Sequence, residues 1–319
     1  MQIDRSSSKP PVAGAQPAKP AAPVAAAPGA KMAGDSYQAN DVKVITFNTA
    51  VGNSKIKTDQ GDFVKLPFYQ SVIKGDANAP ILCLQEVGNE QRKAIEKLAK
   101  NGHFTVLSQR VGLNFKGNNL MLVPKRYQVE STDNSYFGMP QVKAAAKTIL
   151  GWFKGEGKPS FNKLWQLVSL RGYQEMQLKD SATGKAFTVF NTHTSYDVAL
   201  KGVHAKQLFD AAREAEKRGP VIVAGDLNTY SGTDPGSKAS DADARQHFDD
   251  YTDMGAPGTA GDRHNIDWVL AKGFESVSSK LYTGDSISLP SAADASLISD
   301  HYAEEDVLRF KDETQPQAN

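Results

Sequence analysis

The chain has 319 residues, of which 39% are hydrophobic and 23% charged, an ordinary balance for a globular protein with a sizeable core. Its single cysteine, Cys83, excludes an internal disulfide, and no apolar run is long enough to span a bilayer. Of 37 basic and 36 acidic residues, four basic (Arg5, Lys9, Lys19, Lys31) and two acidic (Asp4, Asp35) lie in the first 40, so the rest carries a net charge of −1. Bulk charge therefore excludes tight, non-specific polyanion binding, and any such attraction needs a local patch.

Residues 1–40 contain 11 Ala and 6 Pro and almost no large apolar side chains. Such a segment cannot bury enough surface to offset its ordering entropy, so a disordered tail or extended tether is expected. It lacks the leucine-rich centre of a Sec signal peptide, which leaves a soluble protein, cytoplasmic or exported by another route. Residues 41–311 read as one domain and 312–319 as a C-terminal tail. Val42–Phe47 alternates like a strand, and Ile81–Gln85 is a short apolar run with Cys83 inside it. Glu90–Lys100 has helical spacing, with Asn101-Gly102 as its stop. Phe104–Ser108 with Asn119–Val123, and Tyr173–Leu178 with Ala186–Asn191, read as paired strands, the second pair joined by a turn at 180–184. Val203–Lys217 is a predicted helix closed by Arg218-Gly219-Pro220; Val221–Ala224 and Ile266–Leu270 are predicted strands. Hairpin-like pairs with a few helices predict an α+β fold of packed sheets with helices outside.

Polar groups appear where these strands end: Phe47-Asn48, Gln85-Glu86, Asn191-Thr192-His193, Gly225-Asp226-Leu227-Asn228 and Ser299-Asp300-His301. A rigid sheet aims such side chains, and the adjoining loops leave them accessible. Asp226 can hold or deprotonate a water, and Asn228 can orient a phosphate oxygen without adding repulsive charge. Glu86 is the hard oxygen ligand that Mg²⁺ or Mn²⁺ prefers. His301 can serve as a base or a cationic phosphate contact, with Asp267 placed to orient it. Any one tip alone reads equally as an ordinary turn or solvated strand end. Five in one chain specify a metal-dependent phosphoesterase.

Together and in this order, the motifs resemble those of the endonuclease/exonuclease/phosphatase superfamily, which includes deoxyribonuclease I, abasic-site nucleases, neutral sphingomyelinases and inositol polyphosphate 5-phosphatases. The resemblance spans about residues 42–310. It implies a four-layer sandwich, with two central mixed β-sheets face to face and helices on both outer faces. It implies divalent-metal ligands at Asn48 and Glu86, with Asp300 as a further candidate, and Mg²⁺ or Mn²⁺ as the ion. Asp226 corresponds to the water-activating aspartate, Asn228 to the phosphate-orienting amide, and His301 to a site histidine oriented by Asp267. His193 corresponds to the strand-end histidine of deoxyribonuclease-like and lipid-directed members, and Arg171 to a phosphate-contacting basic residue. Asn48-Thr49-Ala50, and His193 where abasic-site nucleases carry Tyr, argue against abasic-site repair. The expected activity is therefore a deoxyribonuclease-like nuclease. A phospholipid head-group phosphodiesterase and an inositol phosphate phosphatase are the alternatives, and an inactive binding module of the same fold is a more distant one.

Residues 137–166 bear on that choice. Lys143, Lys147, Lys154, Lys158 and Lys163 face a single acid, Glu156, and Trp152 and Trp165 lie among them. Val142, Ala146, Ile149 and Phe153 recur at helical spacing. A basic amphipathic helix with aromatics is expected to contact either a nucleic-acid backbone or, peripherally, a membrane surface; an ordinary packed helix is the plainer reading.

Overall fold

The computed structural model describes residues 38, 40–49, 67–73, 78–111, 117–138, 150–151, 154, 171–229, 235–255, 266–282, 299 and 301–311. Asp300, the expected C-terminal tail, all but two residues of the expected 1–40 tail and nearly all of the 137–166 segment lie outside the described residues. Two six-stranded sheets form the centre. The first has the order β11 (Phe274–Tyr282), β12 (Ala303–Phe310), β1 (Val42–Asn48), β2 (Ile81–Gln85), β4 (Gly117–Pro124), β3 (Phe104–Val111). The second has the order β5 (Tyr127–Tyr136), β6 (Gly172–Asp180), β7 (Ala186–His193), β8 (Val221–Asp226), β10 (Asp267–Lys272), β9 (Thr252–Asp253).

Each sheet has one parallel pair at its centre, β1 with β2 and β7 with β8, and every other neighbour is antiparallel. The central strands read as nearly unbroken apolar runs because both of their faces are covered. Parallel strands finish at one edge, so Asn48 aligns with Gln85 and His193 with Asp226. Antiparallel neighbours begin at that same edge: Asp267 pairs with Asp226, and Gly172 with His193. β12 runs antiparallel to β1, which returns His301, two residues before it, to the same place. Residues leaving parallel strands thus meet residues entering antiparallel ones, the edge where sheets of this kind carry ligand sites.

Between the sheets lies a core of Val44, Cys83, Met121, Met176, Phe187, Val189, Ile222, Val269, Phe274 and Leu308, among others. Helices α1 (Pro67–Val72) and α2 (Asn89–Asn101) cover the first sheet through Phe47, Phe68, Leu82, Leu84 and Ile95. Helix α3 (Val198–Glu216) covers the second, where Phe190, Leu208, Ala212, Val223 and Phe248 cluster, and α4 (Pro235–Gln246) packs against α3. Each large side chain so buried contributes roughly 1.5–3 kcal/mol. These are four layers, as expected. None of the described helices is long and apolar enough to cross a membrane.

Just below this shared edge the interior turns polar. Gln85 Nε2 donates to Asn191 Oδ1 (2.8 Å) across the gap between sheets. Asn191 Nδ2 donates to the Leu84 and Leu120 carbonyls and to Gln174 Oε1. Amides buried this deeply have to be bonded, and only one sheet-to-sheet registration bonds them.

The paired strands Phe104–Ser108/Asn119–Val123 and Tyr173–Leu178/Ala186–Asn191 appear as β3–β4 and β6–β7, with longer bounds. Helix α3 begins at Val198 rather than Val203. The expected stop at Asn101-Gly102 is real, but Gly102 stays at φ −81° and His103 takes the left-handed conformation at φ 62°.

Asp306 lies on β12 with no exposed surface. Burial, then the charges of Asp253 and Glu305, hold its carboxyl well above the ordinary range. The folded state therefore keeps a proton that the unfolded chain gives up near pH 4. That contribution to stability is full below the unfolded value and is lost as pH rises through the folded one. Asp306→Asn is expected to stabilise the fold by about 1–3 kcal/mol at pH 8 and much less at pH 4.5. Urea denaturation at both pH values measures this, and an equal change at both would refute it.

Candidate active site

The side chains at the shared edge form one connected set. Asn48 Nδ2 donates to Asp226 Oδ2 at 2.8 Å, bridging the two sheets. The Asn228 backbone N–H donates to Asp226 Oδ1, also at 2.8 Å, so both carboxylate oxygens are held. Asn228 takes a left-handed conformation (φ 50°), and its side-chain amide donates to the Thr194 carbonyl at 3.1 Å. Glu86 is left-handed too (φ 51°), just where the chain leaves β2. Strained backbone of this kind persists only where the surroundings enforce it, and it concentrates at functional sites.

His193 stands between the sheets' contributions. Its Nε2 lies 3.4 Å from Asp226 Oδ2 and 3.7 Å from Glu86 Oε1. Arg171 Nη1 contacts His193 Nδ1, and its Nη2 lies 3.8 Å from Glu86 Oε1. On the other flank, His301 Nδ1 is bonded to Asp267 Oδ2 at 2.7 Å. Ser299 Oγ donates to the Asn48 carbonyl (2.7 Å) and accepts the His301 N–H (3.0 Å), tying the segment before β12 to the end of β1.

Burial sets the electrostatics. Asp226 is 2% exposed, and its carboxyl is pushed up to about 7, first by burial and then by the like charge of Asp267; His301, Asn48 and Asn228 pull the other way. The His193 imidazole is held well below 6.5 by burial, then by the Arg171 charge. A guanidinium can only donate, so Nδ1 of this neutral ring accepts and Nε2 carries the hydrogen. His193 therefore offers an N–H, aimed between Asp226 and Glu86.

A divalent cation suits this donor set. Asp226, Asp267 and His301 place ligand atoms within 4.8 Å of one another, and Glu86 and Asn48 add oxygens from the facing sheet. A buried carboxylate whose proton affinity is raised by burial and a neighbouring like charge is the environment a hard cation relieves, and the oxygen donors suit such an ion.

Eight of the nine residues singled out from sequence converge here: Asn48, Glu86, Arg171, His193, Asp226, Asn228, Asp267 and His301. The ninth, Asp300, lies outside the described residues. Sequence reasoning missed Thr194, whose N–H donates to the Asp226 carbonyl and whose Oγ1 donates to that of Leu227 (2.6 Å). It also missed His204, fully buried on α3, which accepts the Ser195 N–H at Nδ1 (3.1 Å) and stacks on Phe137 (centroids 4.4 Å apart). Thr194 follows His193 directly, and that adjacency was the available signal; His204 sits mid-helix and gave none.

The profile of the Endonuclease/Exonuclease/phosphatase family matches residues 45–301. No curated protein sequence matches significantly. Among solved structures, the catalytic domain of human Nocturnin with bound sulfate is similar at TM-score 0.60 and 15% identity, over 85% of this chain and 95% of that one. A mannosyl-6-phosphatase from Bacteroides thetaiotaomicron is similar at TM-score 0.59 and 15% identity, over 84% and 100%. Truncated Caenorhabditis elegans TDP2 is similar at TM-score 0.56 and 16% identity, over 85% and 98%. At such identities these likenesses establish the fold, while the profile covers most of the sequence, including every described site residue. The chain belongs to the endonuclease/exonuclease/phosphatase family, whose members are hydrolases acting on phosphoester bonds.

Proposed function

We propose that the chain is a divalent-metal-dependent phosphodiesterase of the deoxyribonuclease I-like nuclease type. The observation that carries this reading is the pinned Asp226 carboxylate, with Asn48, Asn228 and His193 around it and the Asp267–His301 pair beside it. Glu86 and Asn48 would hold the metal, Mg²⁺ or Mn²⁺, with Asp300 as a further ligand candidate. When bound, the ion supplies charge neutralisation on the phosphoryl oxygens.

The chain's own groups do the rest. Asp226, with both oxygens oriented, aligns a water for in-line attack and takes its proton, while the ester P–O bond opposite the water breaks and the departing oxygen takes a proton from solvent. Its raised proton affinity brings it close to neutrality, where a base is most effective. His193 presents its Nε2–H to a phosphoryl oxygen as charge builds there, and Arg171 fixes that tautomer while adding positive charge. The Asn228 amide holds another phosphoryl oxygen. Asp267 orients the His301 imidazole through its Nδ1, which sets that ring beside the phosphate.

A phosphomonoester is the second reading, favoured by the likeness to a mannosyl-6-phosphatase. A panel of plasmid DNA, RNA, sphingomyelin, inositol phosphates and mannose 6-phosphate, assayed with Mg²⁺, separates the two. EDTA is expected to abolish hydrolysis of bis-p-nitrophenyl phosphate, and Mg²⁺ or Mn²⁺ to restore it. Turnover that survives chelation would overturn the metal assignment, and a folded protein inert toward every phosphoester would leave only the binding-module alternative.

A further inference from the structure

The row of cross-strand partners that builds the site does not stop at His193. Asp267 pairs with Asp226, Asp226 with His193, His193 with Gly172 and Gly172 with Tyr136, so one line crosses five strands at the shared edge. Gly172 adds no side chain to that line, which makes Tyr136 the next side chain after His193. Two strand spacings separate them, about 10 Å. The Tyr136 hydroxyl donates to the Arg110 carbonyl of the facing sheet (2.9 Å), yet the residue is 44% exposed. Its ring is thus held in place and still open to solvent.

A second open ring stands close by. Tyr196, three residues beyond His193, is 49% exposed. Burial acts most on its hydroxyl, followed by the charge of Arg171 and then those of Asp197 and Glu86, so this ring neighbours the site's own charged groups. Tyr136 adjoins Arg171 as well, because the Phe137 N–H donates to the Arg171 carbonyl. Four large hydrophobic side chains are exposed among the described residues, and these tyrosines are the two aromatic ones.

We propose that Tyr136 and Tyr196 are specificity-determining residues that stack on unpaired bases beside the scissile phosphate, which makes the substrate a single-stranded nucleic acid. The inference rests on the phosphodiesterase reading above and deepens it. A phosphate held at His193 and Arg171 leaves the 10 Å or so toward Tyr136 for a sugar and its base. A tyrosine face stacks on any base without reading its identity, and only an unpaired base exposes its own face. The competing partner for exposed aromatic rings is a quaternary ammonium head group. Arg171 puts a positive charge between His193 and Glu86, next to both tyrosines, and so favours a neutral ring over a cation.

The test separates bases from backbone. Fluorescence anisotropy of the full chain with Ca²⁺ as the cation compares a short dye-labelled oligothymidylate with an abasic oligomer of the same length, and any cleavage is followed on a gel. The oligothymidylate is expected to bind about tenfold more tightly. Tyr136→Ala and Tyr196→Ala are each expected to remove most of that preference while leaving the abasic oligomer's affinity unchanged. Tyr136→Phe and Tyr196→Phe keep a ring face and are expected to retain it. Tyr136→Leu, which keeps apolar bulk without a π-face, carries the test if the alanine variant does not fold. Equal affinity for the two oligomers overturns the proposal, as does an alanine variant that weakens both alike. Displacement of the oligothymidylate by phosphocholine at lower concentration than by thymidine monophosphate also overturns it. Binding is read without turnover, so a protein that prefers the bases but cleaves no phosphoester with Mg²⁺ keeps these roles and loses the hydrolase reading. A protein that cleaves without the preference does the reverse.

Discussion

Asp226→Asn is expected to lower turnover of a soluble diester about 10²–10⁴-fold, the span associated with a general base, while leaving the fold intact. The isosteric amide retains one acceptor oxygen for Asn48 or the Asn228 N–H and loses the other. One lost bond costs about 0.5–1.5 kcal/mol, and removing a charge that repels Asp267 offsets it. The pH dependence separates the two effects. In the metal-free protein the Asp226 carboxyl is pushed up to about 7, so the folded state binds more protons than the unfolded chain between about pH 4 and 7. Wild-type stability falls across that window, and the variant escapes the fall. Thermal melts without metal are therefore expected to favour the variant at pH 8 and to bring the two proteins together at pH 4. Saturating Mg²⁺ is expected to restore the wild type by binding its native state alone. Near-wild-type turnover in Asp226→Asn would remove Asp226 from its assigned role.

Gly225→Ala is expected to be the most damaging single-methyl change in the described chain, costing about 3–5 kcal/mol from combined backbone strain and overpacking. Gly225 sits at φ 145°, a conformation L residues rarely adopt, and an added Cβ would meet the Thr192 carbonyl oxygen at 2.1 Å. Relief would require β7 and β8 to separate where Thr192 faces Gly225, one residue before His193 and Asp226 on their respective strands. Activity is expected to fall with stability, since the imidazole and the carboxylate sit on those two strand ends. Gly138→Ala is the control, because an added Cβ there meets nothing within 4 Å. Chemical denaturation of both variants checks the prediction, which fails if Gly225→Ala unfolds at the wild-type midpoint.

What could be read in the sequence follows from what packing demands of each element. β1, β2 and β8 are buried along nearly their whole length, so their composition is forced and their ends are sharp. The site was legible for that reason: a polar residue breaking an apolar run is conspicuous, and Asn48, Glu86, His193 and Asp226 all do so. β5 forms an edge and carries exposed polar residues from Glu130 to Asn134, so it reads as loop. β11 is another edge, largely exposed. β12 places Glu304 and Asp306 in buried positions, against the usual pattern, and so hides its own period. Thr194, His204 and the Gln85–Asn191 bridge stayed invisible because neutral polar groups inside a protein resemble surface residues until their partners are known. The distribution of 33-odd basic charges could be counted but not placed, and Arg171 is the case in point. Sequence suggested it only as a phosphate contact, and its grip on His193 emerged from the structure.

The neighbouring of β1 and β12 also has a consequence in time. Ser299 reaches Asn48 across 251 residues of sequence, and the histidine bonded to Asp267 arrives on the same late segment. Contacts so distant along the chain form slowly, and during synthesis they cannot form until the segment carrying Ser299 and His301 has left the ribosome. A nascent chain exposing β1 to β8 already carries Asn48, Glu86, His193 and Asp226, but lacks His301 and the strand that fixes the end of β1. The set of side chains that the proposed hydrolysis needs is thereby incomplete in the growing polypeptide and assembled only once β12 has docked.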